Sequence, residues 1–238
     1  MALPPQFAGH RIGSATAPQT LEVWLDYVCP YSFRIYKRLR DVRQQFESCA
    51  FRSATYDHLV SLFTTDSAPF DRPLQQILPY IEATHPGKVK FIFRQQVQPW
   101  HPSSTLVHEA ALAVEKVDPA KFFDFSDKLF EKQKEFFDVP LYNKTRHAVY
   151  SELADLASTV GVSRDAVLSL LTVQLGGEFL NAGNRVTDDL KLQIKLGRQN
   201  GIHVSPTVVW DGIRDDNVSS GWDLEQWKDW LKSKVHKQ

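Results

Sequence analysis

The chain has 238 residues, 42% hydrophobic and 12% aromatic, enough to bury one sizeable core or a core with a helical subdomain. Its 28 Lys and Arg balance 28 Asp and Glu, so no net field favours a phosphate backbone or an anionic lipid surface, and nucleic acid is not an expected partner. Residues 1–20 contain Pro4, Pro5, Gly9, Gly13 and Pro18 without the apolar run of a leader, and no later window reaches membrane-span length.

The expectation is therefore a cytoplasmic chain with no membrane partner, whose two cysteines, Cys29 and Cys49, stay reduced. In chain order, residues 1–20 read as an N-terminal extension. Residues 21–26 place strand-forming side chains in alternation and predict a strand ending near Asp26. A helix must start almost at once: Pro30 suits a first helical position, and Phe33, Tyr36, Leu39, Val42 and Phe46 follow at helical spacing. Cys29 is thereby set at a helix N-terminus.

Residues 48–72 read as an irregular surface insertion, with scattered Ser and Thr and only short apolar pairs. Leu74, Ile77, Leu78 and Ile81 predict a short helix stopped by His85-Pro86-Gly87, and residues 88–94 a second strand, parallel to the first because a helical crossover joins them. From 103 to 199 the spacing is helical throughout: Leu106, Ala110 and Val114 on one face, Phe122, Phe125 and Leu129 on the next, Val149, Leu153 and Leu156 on a third, and Val186, Leu190 and Ile194 on the last. Strand character returns at 206–210. Asp211-Gly212 is a two-residue hairpin turn into a strand from Ile213, and Asp223 with Gln226 has capping-box spacing at the start of a final helix.

This order corresponds to an α/β thioredoxin fold carrying an inserted all-helical domain: residues 21–100 and 201–238 in the first, 101–200 in the second. Val23-Trp24-Leu25-Asp26-Tyr27-Val28-Cys29-Pro30-Tyr31-Ser32 resembles the active-site entry of the DsbA-like superfamily, and Gly201-Ile202-His203-Val204-Ser205-Pro206-Thr207 resembles its cis-proline loop. The resemblance implies that Pro206 packs beside Cys29 through a cis bond, and that Ser205 offers backbone groups to an extended peptide or to glutathione. It also implies thiol–disulfide oxidoreductase chemistry.

That chemistry has a physical basis, because a thiolate is the nucleophile and a helix N-terminus favours an anion. The departure from the family is Ser32, where a resolving cysteine would stand. A hydroxyl cannot close a disulfide, and Cys49 is no substitute on a continuous helix. Twenty residues of it span roughly 30 Å at about 1.5 Å each, whereas bridged Cα atoms lie within about 7 Å.

Cys-Pro-Tyr-Ser is similar to the one-thiol variants of glutaredoxins, while kappa-class glutathione transferases and related isomerases carry Ser-Pro-Tyr-Ser. The resemblance thus implies a monothiol oxidoreductase with glutathione as co-substrate and no bound cofactor. The alternatives are a kappa-like transferase or isomerase and a non-catalytic, chaperone-like binding module.

Ser32 either hydrogen-bonds the Cys29 sulfur or is a solvated helix serine, and Pro30 and Tyr31 stand where they would contact a ligand. His203 either approaches the site as a base or anion-steering group or is an exposed loop residue. Trp100-His101-Pro102 reads as a strand-to-helix turn, although His101 and His108 share helical spacing. No spacing of His, Cys and acids suggests a metal site.

Overall fold

The computed structural model describes residues 3–40, 76–173, 175 and 180–235. A 3-10 turn, Pro5–His10, leads into the edge strand β1, Arg11–Ile12, and then into β2, Gln19–Leu25, buried along its whole length. Helix α1 follows at Pro30–Leu39, with Pro30 at its first position, where the missing N–H costs nothing. Next come α2, Ile77–Thr84, and β3, Val89–Gln95.

The chain is then helical through α3, Ser104–Val117, α4, Phe122–Glu131, the short α5, Asp138–Leu141, α6, Arg146–Ser158, α7, Arg164–Leu171, and α8, Thr187–Gln199. It closes with β4, Thr207–Trp210, β5, Ile213–Arg214, and α9, Leu224–Lys234. The five strands form one mixed sheet in the order β1-β3-β2-β4-β5. β2 runs parallel to β3 and antiparallel to β4. Among the described residues no helix is long and apolar enough to cross a membrane.

Local chemistry accounts for the turns. Asp211 and Gly212 both adopt positive φ, the geometry of the primed turn that matches strand twist, and the Asp211 carboxylate accepts the Thr20 N–H. Asp223 and Gln226 exchange the two hydrogen bonds of a capping box, and α9 then buries Trp227, Trp230 and Leu231. Gly197 lets α8 lie close on the sheet, since a Cβ there would come within 3.1 Å of the Trp24 ring and 2.9 Å of Gln96 Oε1.

Two expectations change. Residues 3–20, read from the sequence as part of an extension, pack onto the fold: Phe7 and His10 are buried, His10 stacks on Phe122 with ring centroids 3.9 Å apart, and β1 pairs with β3. A segment rich in Pro and Gly carries little periodicity, so its burial is settled by long-range contact. Helix α1 also stops earlier than its apolar spacing suggests. Arg40 turns to extended backbone and forks onto Asp127 of α4, whose carboxylate accepts Tyr36 Oη as well. The straight-helix separation of Cys29 from Cys49 therefore no longer follows, and Cys49 and residues 48–72 lie outside the described residues.

One buried cluster takes in sheet and helical residues alike. Phe93 of β3 and Tyr27 after β2 pack on Phe130 of α4 and beneath Tyr36 of α1. Because Phe7 belongs to that cluster, Phe7→Ala should lower unfolding stability by about 3 kcal/mol, as for other buried aromatic truncations, measured by denaturant titration. A loss below about 1 kcal/mol, the range of surface substitutions, would return the first residues to the status of an extension.

Candidate active site

Strand β2 ends at Leu25, and the next four residues turn into α1. Cys29 is the N-cap, in extended backbone, with no capping hydrogen bond from its side chain. Its sulfur therefore sits at the end of the helix where backbone N–H groups lack intrahelical partners and partial positive charge accumulates. The thiol is buried, and Sγ lies 3.4 Å from the carbonyl oxygen of Ser205, to which it donates. The Ser205–Pro206 peptide bond is cis. Cys29, Ser205 and Pro206, far apart in sequence, thus meet at one place.

The other expected residues divide. Pro30 and Tyr31 are exposed at the start of α1, with the Arg34 guanidinium over the Tyr31 ring. Ser32 fits neither expectation: it is fully buried, and its hydroxyl accepts the Asp26 N–H at 3.1 Å instead of bonding the Cys29 sulfur. Adding a hydroxyl one turn into the helix satisfies a backbone donor stranded at the strand end, which explains its burial. His203 is exposed on the loop ahead of the cis bond and is not drawn into the site.

What sequence reasoning missed lies beneath the cysteine. The Asp26 carboxylate is fully buried, and a buried charge is tolerated only where donors surround it. Val28 N–H and Ser104 Oγ donate to Oδ1 at 3.1 and 2.9 Å, and His101 Nδ1 stands 2.7 Å from Oδ2. His108 Nε2 lies 3.6 Å from Oδ1, an ion-pair separation too long for a hydrogen bond. Burial pushes the Asp26 carboxyl upward, but His108, His101 and the Val28 amide together outweigh it and hold the group below the ordinary carboxylate value.

The polar chain runs deeper. Gln95 Oε1 can only accept, so His108 Nδ1 donates to it at 2.8 Å. The Gln95 amide nitrogen can only donate, so His10 Nε2 accepts at 2.9 Å, and His10 Nδ1 stands 2.8 Å from Glu115. From the helical side, Gln133 Nε2 donates to the carbonyls of Tyr27 and Cys29 at 2.6 and 3.0 Å, pinning the turn on which the thiol rides. A cavity of about 320 Å³ opens beside this turn, walled by Val28, Pro30, His101, Ser103 and Phe136. The one sequence signal for the cluster was the spacing of His101 and His108 around the start of α3.

No family model and no curated protein matches the sequence. Solved structures do match in three dimensions. A Pseudomonas syringae protein assigned as a protein-disulfide isomerase is 19% identical with a TM-score of 0.64, over 95% of this chain and 99% of that one. Oxidised BdbD from Bacillus subtilis is 19% identical with a TM-score of 0.56, over 95% and 92%. The thiol-disulfide exchange protein alpha-DsbA2 from Wolbachia pipientis is 16% identical with a TM-score of 0.51, over 94% and 85%. The fold is accordingly the DsbA-like thioredoxin fold with inserted helices.

The buried carboxylate gives a pH signature. Because the folded state holds Asp26 below its unfolded value of 3.8, its contribution to stability is present above that value and lost as pH falls through the folded one. Asp26→Asn should cost about 2 kcal/mol at neutral pH, with the difference from wild type shrinking below about pH 4, followed by urea unfolding across pH. A difference that does not change with pH would show that Asp26 is not held as the anion.

Proposed function

We propose that the protein is a thiol–disulfide oxidoreductase working with a single nucleophilic cysteine, and that glutathione is its co-substrate. The observation that carries the reading is the placement of Cys29 Sγ at the N-terminus of α1, 3.4 Å from the Ser205 carbonyl that precedes the cis bond to Pro206. The neighbouring folds support it, since the Pseudomonas and Wolbachia proteins are described as a disulfide isomerase and a thiol-disulfide exchange protein.

In the reaction the Cys29 thiolate attacks one sulfur of a disulfide, a new S–S bond forms, and the old bond's electron pair leaves with the other sulfur. With Ser32 in place of a second thiol, nothing inside the motif displaces the bound half. An external thiol must attack the mixed disulfide and release Cys29. In a reducing compartment such as the cytoplasm, the glutathione pool supplies both the partner and the releasing thiol. Pro30, Tyr31, Ser205 and Pro206 form the surface over which glutathione or a peptide would lie, with His203 at its margin.

The burial of Ser32 and its use by the Asp26 amide speak against a kappa-like transferase in which that hydroxyl activates glutathione. Incubation with oxidised glutathione should add one glutathione mass to the wild type and none to Cys29→Ala, and Ser32→Cys should replace the persistent adduct by an internal disulfide, all read by intact mass. An adduct that survives in Cys29→Ala would overturn the reading, and absence of any adduct would favour a binding module.

A further inference from the structure

The one-thiol reading leaves a chemical question open, namely what protonates the sulfur expelled from the disulfide that Cys29 attacks. An alkyl thiolate is a poor leaving group at neutral pH, and Ser32 is occupied with a backbone amide. We propose that His101 is the proton-transfer residue for thiol exchange at Cys29, oriented by Asp26.

The geometry assigns its protons. Asp26 Oδ1 is filled by the Val28 N–H and the Ser104 hydroxyl, which leaves Oδ2 for His101 Nδ1 at 2.7 Å. An anionic carboxylate only accepts, so Nδ1 carries the hydrogen and Nε2 is the position open to exchange. Of the groups clustered on Asp26, His108 is fully buried, whereas the His101 side chain is 24% exposed. His101 also lines the cavity of about 320 Å³ whose wall includes Val28 and Pro30, the residues on either side of Cys29. Cys29 itself does not line the cavity, which in this proposal receives the leaving half of a disulfide that Cys29 engages. The titratable groups around the imidazole are Asp26, His108 behind it and Asp138 on the cavity wall, with the Trp100 ring alongside.

The step balances within the chain and its substrates. Cys29 thiolate forms the new S–S bond, the broken bond's electrons go to the leaving sulfur, and His101 Nε2 gives that sulfur its proton. His101 is left neutral, still donating from Nδ1 to Asp26. In the second half-reaction the incoming thiol surrenders its proton to Nε2, attacks the mixed disulfide as thiolate, and restores Cys29 thiolate and protonated His101. No further oxidant or reductant is required.

The test uses the full chain and two disulfides that differ in the need for protonation: oxidised glutathione, with an alkyl leaving thiolate, and the aryl disulfide of nitrothiobenzoate, whose thiolate departs unprotonated. His101→Gln should slow single-turnover exchange with oxidised glutathione about 100-fold, and with the aryl disulfide no more than about threefold. Equal slowing of both, or of neither, would overturn the role of His101 while leaving the one-thiol reading intact. A wild type that forms no adduct with either disulfide would overturn that reading and this inference together. Should His101→Gln not fold, the wild type carries the test: exchange with oxidised glutathione should show a solvent deuterium isotope effect that exchange with the aryl disulfide lacks, and equal effects on both would overturn it.

Discussion

The architecture around the thiol depends on one buried carboxylate. Asp26 closes the central strand β2, with its side chain out of water, and a lone anion there would be strongly destabilising without compensating donors. The donors come from two sides: the Val28 amide in the same turn, and the His101 and Ser104 side chains at the entrance to α3. The backbone is tied in by the same node, since the Asp26 N–H is accepted by Ser32 and its carbonyl accepts the Cys29 N–H. Sheet, cysteine-bearing turn and helical segment are thereby locked into one register.

That locking explains why the thiol is where it is. The turn 26–32 is held from below by Asp26 and from the side by Gln133 on the Tyr27 and Cys29 carbonyls. Cys29 is delivered to the start of α1 and against the Ser205 carbonyl with little freedom to retreat. For the exchange chemistry proposed above, preorganisation of this kind would spare the thiol a search for its geometry. The same polar chain continues through Gln95 to His10 and Glu115, so the N-terminal turn, too, is coupled to the floor of the site.

Features written in a few neighbouring residues were legible in the sequence: β2, the start of α1 at Pro30, the Asp211-Gly212 hairpin and the Asp223 capping box. The pairing of Cys29 with Ser205 and Pro206 was legible only through resemblance, since nothing local relates those segments. The Asp26 cluster was not legible, because it forms by convergence of residues 75 and 78 positions apart and a histidine before a proline reads equally well as a turn. Ser32 shows the same limit. Its place in the motif was plain, but its partner depends on how far the turn tucks beneath the strand. Phe7 and His10 were hidden because six residues of 3-10 turn carry no amphipathic period.

The crystal structure of the protein after reaction with oxidised glutathione tests the proposed chemistry most directly. Continuous density from Cys29 Sγ to the glutathione sulfur, with the tripeptide lying along Ser205 and Pro206, is the expected result. An unmodified Cys29, or glutathione seated elsewhere on the chain, would contradict it.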